Sequence, residues 1–219
     1  MNTLILQANE ILRNQQFEYA FCGGYAIDLF LGFESRIHGD IDISSYWKDR
    51  NNIIEHMWEL DFSVYEMLGE GKAHHITDIE NQKMIKRNIF CFQDTCDLIQ
   101  LSATDEAGIY YINFRNIGQT KLDFIEFLFN SRNDTDFIYA RNNEIKRALD
   151  KAILKNEGIP YLAPEVCLLY KSTDITHEVN QKDFDKAITK MTDEQKDWLN
   201  DALIKTYPEG HKWAKWINR

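Results

Sequence analysis

Two glycines and two aspartates define the chemistry this sequence could perform. The stretch Phe21-Cys-Gly-Gly-Tyr-Ala-Ile-Asp-Leu-Phe-Leu-Gly-Phe-Glu-Ser-Arg-Ile-His-Gly-Asp-Ile-Asp-Ile43 runs from a buried strand pattern through Gly23-Gly24 into a helical pattern and on to Asp40-Ile-Asp42. Glycine lets an anion approach the backbone, and a helix N-terminus favours negative charge, so Gly23 and Gly24 are candidate phosphate contacts. Asp40 and Asp42 stand two apart on a strand pattern and so share a face. Like charges held that close repel unless a cation neutralises them. Hard oxygen ligands suit Mg²⁺, which completes its shell with water and substrate phosphates. The spacing alone says little in a chain with 35 acidic residues, and Asp134-Thr-Asp136 and Asp183-Phe-Asp185 repeat it. Only Asp40-Ile-Asp42 follows a strand, Gly-Gly and a helix, with apolar residues flanking both partners.

This segment resembles the signature of the polymerase-β-type nucleotidyltransferases: an apolar residue, Gly-Gly, then Asp-apolar-Asp. Ala26, Asp28, Leu31-Gly32, Arg36 and His38 make it similar to one branch, the aminoglycoside 2''-adenylyltransferases and lincosamide nucleotidyltransferases. Gly158-Ile-Pro-Tyr-Leu-Ala-Pro-Glu-Val-Cys-Leu-Leu-Tyr-Lys-Ser172 and Lys182-Asp183 extend the likeness. Related chains tend to read Lys-Asp-x-x-Asp there, whereas here Lys186 takes the last position. The resemblance implies an α+β fold, with a mixed sheet flanked by helices and then a small helical C-terminal domain. It implies transfer of a nucleoside monophosphate, AMP from ATP, to a hydroxyl of a small antibiotic, an aminoglycoside, with release of pyrophosphate. Lincosamide, protein or RNA acceptors, and a nucleotide-binding module without turnover, are the alternatives.

On that resemblance Asp40 and Asp42 hold Mg²⁺, in two ions, and a third carboxylate lies on a neighbouring strand. Asp97 is the best match: it sits inside the apolar run Thr95-Cys-Asp-Leu-Ile-Gln100, where an unpaired carboxylate is costly. Asp94 is its rival, at a turn. Asp97 either takes the proton of the acceptor hydroxyl or shares the second metal. Arg36 reads as a triphosphate contact or as an ion pair with Glu34 or Asp40. Lys171 reads as a phosphate contact or as an exposed helix lysine. Glu165 reads as a favourable charge in the first turn of a helix. His74-His75 reads as a polar strand face, and Trp213 and Trp216 as packing residues.

The elements that must position these groups follow from periodicity. Helices are expected over 3–15, 25–31, 51–60, 164–172, 181–191, 192–206 and 208–218. Thr192-Asp-Glu-Gln195 is a capping-box signature. Strands are expected over 19–22, 40–44, 62–66, 73–77, 87–92, 96–101, 109–114, 137–141 and 152–154. The pattern turns helical near Pro160, which suggests a nucleotidyltransferase domain over 1–160 and a helical domain over 161–219. A net charge of -10 argues against nucleic acid as a partner and favours a cationic acceptor. The first residues show neither a signal peptide nor a spanning helix, and the four cysteines form no C-x-x-C pair, so a cytoplasmic, reduced setting is expected. The oligomeric state is not legible.

Overall fold

The computed structural model describes residues 2–83, 87–115 and 117–218. In chain order its elements are α1 (Thr3–Leu12), β1 (Tyr19–Phe21), α2 (Gly23–Leu31), β2 (Asp42–Tyr46), α3 (Arg50–Glu59), β3 (Ser63–Gly69), β4 (Lys72–Ile76), β5 (Ile89–Phe92), β6 (Ile99–Ala103) and β7 (Ile109–Phe114). Then come β8 (Phe124–Arg132), β9 (Asp136–Ile138), β10 (Lys146–Ala148), α4 (Leu149–Ala152), β11 (Ile153–Asn156), β12 (Ile159–Leu162), α5 (Pro164–Lys171), α6 (Glu178–Ala187), α7 (Asp193–Thr206) and α8 (Lys212–Ile217). The α+β plan expected from the sequence is present. Chain contacts group these elements into two compact units, Met1–Tyr19 with Arg36–Asn130, and Ala20–Ser35 with Ser131–Arg219. Among the described residues no helix is long and apolar enough to cross a membrane.

The first unit is built on strands in the order β2-β8-β5-β3-β4-β7-β6. β2 and β8 run parallel, and the remaining neighbours are antiparallel. Period-two alternation sorts the side chains onto two faces. One carries Ile43, Phe127, Cys91 and Val64, all buried. α3 packs against β3 and is tied to α1 by His56, whose ring nitrogen lies 2.8 Å from the Ile11 carbonyl. The opposite face carries Tyr65, Phe90, Phe92 and Phe124, which join Leu98 and Ile112 in one apolar cluster. Each fully buried aromatic contributes roughly 1.5–3 kcal/mol. β8 is the largest departure from the sequence reading, which placed no strand between 114 and 137. Its sequence, Phe-Ile-Glu-Phe-Leu-Phe-Asn-Ser-Arg, is apolar enough to be buried on both faces.

A buried charged group spans the first face. The Glu66 carboxylate lies 2.8 Å from His74 Nδ1 and 3.4 Å from Arg50 Nη2, and all three side chains are nearly inaccessible. His74 is thus an interior partner of Glu66, which corrects the expected polar strand face. His75, on the other face, stacks on Tyr65 with ring centroids 4.6 Å apart.

In the second unit β1 lies parallel to β12, and β12 pairs antiparallel with β11. β9 pairs with β10 and with the end of β8. Gly23, the first residue of α2, has φ +61, a left-handed conformation that a side chain would strain. α2 ends at Gly32, also left-handed, whose N–H donates to the Asp28 carbonyl at 2.8 Å. The Asp28 carboxylate accepts from Ser35 N–H at 2.9 Å, Lys186 Nζ donates to the Ser35 carbonyl at 2.8 Å, and Lys190 Nζ donates to the Leu31 carbonyl at 2.7 Å. The lysine that breaks the Lys-Asp-x-x-Asp pattern therefore fastens the loop after α2. The capping box at Thr192 and Gln195 is present. Trp213 stacks on Phe184 at 4.4 Å and is buried, as its packing role required.

Glu165 has a larger part than the first-turn charge read from the sequence. It is fully buried, accepts from Arg147 Nη2 at 2.7 Å and Nε at 3.1 Å, and accepts from Gln195 Nε2 at 2.9 Å. Burial pushes its carboxyl above the usual range, opposed by the Arg147 guanidinium and the Gln195 amide. Removing one partner of such a pair leaves an uncompensated buried charge. Arg147→Met is expected to destabilise the protein by about 3–5 kcal/mol in urea denaturation.

His211 gives the stability a pH dependence. Its Nδ1 accepts from Trp213 N–H at 3.2 Å, so the proton sits on Nε2, 3.2 Å from the Ser172 carbonyl. Burial lowers its pKa, outweighing the Ser172 carbonyl and Glu209, which raise it. The unfolded chain then binds the proton more readily, so this contribution is complete above about pH 6.5 and is lost as pH falls toward the folded value. His75 is shifted in the same direction, by burial and then by His74. Thermal unfolding at pH 7.5 and 5.5 should show a loss at the lower pH, reduced in His211→Asn, which keeps a cap acceptor but cannot titrate.

Candidate active site

Asp42 is the first residue of β2, and Asp40 stands in the bend just before it. Parallel pairing sets Asp42 directly opposite Glu126 on β8. Ligand oxygens of Asp40, Asp42 and Glu126 lie within 4.8 Å of one another, and among the described residues no other group of three such side chains comes together. Asp40 is exposed, while Asp42 and Glu126 are half-buried. The backbone that holds them is tied as well, since Glu126 N–H donates to the Ile41 carbonyl at 2.9 Å.

The electrostatics are those of like charges held close together. The Glu126 carboxyl is pushed well above the usual carboxylate range, first by burial, then by the Asp42 charge, with Asp40 adding to it. The Asn88 side-chain amide donates to Glu126 and opposes the shift. The donor set consists of carboxylate oxygens, which fit a hard divalent cation such as Mg²⁺. A bound cation relieves the repulsion that raises Glu126.

Asp97 is not part of this cluster. The strand expected over 96–101 begins only at Ile99, because Cys96 N–H turns back to the Gln93 carbonyl at 2.9 Å. Asp97 therefore sits on an exposed turn, where water solvates it and the desolvation argument for a catalytic partner does not hold. Asp94 is exposed on the same turn. The argument made for Asp97 applies instead to Glu126, the one carboxylate in the apolar run Phe124-Ile-Glu-Phe-Leu-Phe129. That signal was present in the sequence. Asp134, Asp136, Asp183 and Asp185 join no such group among the described residues.

The remaining candidates have separate settings. Gly23 and Gly24 form the first turn of α2, after Cys22, which makes no side-chain cap bond. Arg36 is half-buried and donates from Nη1 to the Ile37 carbonyl at 3.1 Å. His38 is buried. Lys171, at the end of α5, pairs with the fully buried Asp183 at 2.9 Å and lies 3.4 Å from Asn180 Oδ1. The Lys182-Asp183 pair is thus split: Asp183 turns inward to Lys171, and Lys182 turns outward to Glu178 at 2.7 Å. Ser44 accepts from Asn130 Nδ2 at 2.9 Å and Ser45 donates to the Glu18 carbonyl at 2.6 Å, both structural bonds.

A mixed sheet with flanking helices and a helical C-terminal region, bearing an acidic cluster at the edge of two parallel strands, has the nucleotidyltransferase fold. The chain shares it with the lincosamide antibiotic adenylyltransferase LnuA in its lincomycin-bound crystal structure, at TM-score 0.52 and 14% identity, covering 85% of this chain and 96% of that one. It shares it also with ANT(2'')-Ia in complex with adenylyl-2''-tobramycin, at TM-score 0.51 and 14% identity, covering 94% and 99%. No curated protein sequence matches the chain. Residues 4–90 match the family model of the aminoglycoside-2''-adenylyltransferases. The chain thus has the nucleotidyltransferase fold, and over residues 4–90 it resembles this family of antibiotic-modifying enzymes.

Proposed function

We propose that the protein transfers AMP from ATP to a hydroxyl of a small antibiotic, of the aminoglycoside or lincosamide class, with Mg²⁺ and with release of pyrophosphate. The observation that carries this reading is the cluster of Asp40, Asp42 and Glu126 oxygens within 4.8 Å. A nucleotide-binding module has no use for a third, half-buried carboxylate whose ionisation is opposed by its neighbours. Asp40, Asp42 and Glu126 would hold the metal, Glu126 taking the place expected for Asp97. When bound, Mg²⁺ would polarise the phosphate oxygens and offset the charge that develops on them. Glu126 would have a second capacity: as a carboxylate beside the reacting centre it could accept the proton of the acceptor hydroxyl. The Asn88 amide donates a hydrogen bond to it.

Nucleotide-binding roles for Gly23, Gly24, Arg36 and Lys171 belong to the same proposal. Glycines at a helix start offer N–H groups to phosphate, and Arg36 and Lys171 offer charge-assisted bonds to it. We retain the helical domain over 161–219 and a cytoplasmic setting as part of this reading. The test is pyrophosphate release with Mg²⁺, each of four nucleoside triphosphates and a panel of aminoglycosides and lincosamides. Release that needs both ATP and one of these antibiotics is the expected result. Release with no member of the panel contradicts the acceptor class.

A further inference from the structure

The acceptor side of this site has its own chemistry, and the following inference rests on the transfer reading above. The sheet face that carries the carboxylates continues in one register row away from them. Asp42 pairs with Glu126, Glu126 with Phe90, Phe90 with Tyr65, and Tyr65 with His75. Phe114, the last residue of β7, stands edge-on over this row. Its ring lies 5.3 Å from Phe90 and 5.9 Å from Phe124, which is two residues before Glu126 on β8. Anchored in this way, Phe114 still leaves 52% of its surface exposed.

Two more apolar side chains are exposed on the adjoining segments. Ile117 is 46% exposed and Ile37 is 81% exposed, three residues before Asp40. Gly118 brings the two segments together: a Cβ at that position would lie 3.2 Å from Ile37 Cγ2 and 3.6 Å from the His38 carbonyl oxygen. Single exposed apolar residues are ordinary, but an apolar group continuous with a polar reactive centre marks a ligand surface. The charges on this loop are also of the wrong sign for a polyamine. Arg115 is exposed beside Phe114, and Asp123, the one acid in the sequence from 114 to 123, is buried and paired with Lys121 at 3.1 Å; the exposed Asp97 stands on the turn before β6, whose Ile99 pairs with Phe114.

We infer that Phe114, with Ile117 and Ile37, forms an apolar wall that receives the ring or alkyl face of an amphipathic acceptor carrying no more than one charge. This sets aside the cationic acceptor expected from net charge, because the overall balance says nothing about which residues line the reactive centre. The wall orients the acceptor by burying its apolar face, and so leaves its hydroxyl toward the carboxylates.

The test is calorimetric titration of lincomycin, which bears alkyl groups and one amine, and of tobramycin, a polyamine, without nucleotide. Wild type, Phe114→Ala and Phe114→Leu are compared, with Mg²⁺-ATP affinity measured on each as a check of the fold. Lincomycin is expected to bind wild type, to weaken at least about tenfold in Phe114→Ala and to recover within about threefold in Phe114→Leu. Mg²⁺-ATP affinity stays the same in all three. Equal lincomycin affinity in Phe114→Ala, no lincomycin binding to wild type, or tighter tobramycin binding that Phe114→Ala leaves unchanged would overturn the inference. Phe114-dependent lincomycin binding without pyrophosphate release would leave the wall standing and remove the transferase reading.

Discussion

Asp42→Asn is expected to lower the proposed AMP transfer by about a thousandfold or more and to leave the fold intact. A divalent ion that offsets charge on a transferring phosphoryl group is worth several kcal/mol, and about 4 kcal/mol corresponds to that factor in rate. Asp42 supplies one of three oxygen donors and sits directly across from Glu126, so its amide both weakens the ion and misplaces the neighbour. The fold does not need the charge, because β2 is held by its pairing with β8 and by the buried Ile43 and Ser45. In the absence of metal the variant melts at a higher temperature than wild type, since the repulsion within the cluster is relieved. Steady-state pyrophosphate release and thermal scans with and without Mg²⁺ check both parts. Wild type is expected to gain thermal stability from Mg²⁺ by ligand linkage, and Asp42→Asn to lose that gain.

Glu126→Gln separates the structural assignment of the third carboxylate from the sequence-based one. Gln keeps the size and retains an oxygen to accept the Asn88 bond, so packing survives. Transfer should fall by the same order as in Asp42→Asn. Asp97→Asn should stay within about twofold of wild type, because the exposed turn that carries it lies outside the cluster. Single-turnover rates at saturating Mg²⁺ and ATP are the measurement. A large loss in Asp97→Asn with none in Glu126→Gln would reverse the assignment.

Which parts of this site could be read from the sequence follows from the range of the interactions that build it. Gly23-Gly24 and Asp40-Ile-Asp42 act through backbone geometry within a few residues, so spacing revealed them. Gly23 has the left-handed φ that favours glycine, and the two aspartates bring ligand oxygens together, although Asp40 stands in the bend before β2 and not on the strand expected over 40–44. The helices, with the Thr192 capping box and the Trp213 packing role, were legible for the same local reason.

Glu126 depends on a parallel pairing between β2 and β8, two strands far apart in the chain, and no local pattern fixes that register. The apolar run around Glu126 would have flagged it, but a strand at 96–101 offered a nearer candidate, and that strand starts two residues late for Asp97. The role of Asp183 as the buried partner of Lys171 was hidden for the same reason, since it joins α5 to α6. The acceptor wall was invisible in composition altogether. Phe114 reads as one more alternating strand residue until pairing puts Phe90 and Phe124 beneath it.

The central claim is that Asp40, Asp42 and Glu126 together hold a divalent metal. The most direct test is a crystal structure with Mn²⁺ and a non-hydrolysable ATP analogue, read by anomalous scattering at the manganese edge. The account expects a manganese peak within coordinating distance of oxygens from all three side chains, with the triphosphate completing the shell. Manganese ligated by Asp97, or by the Asp134 and Asp136 pair, with none at Asp40, Asp42 and Glu126 would contradict it.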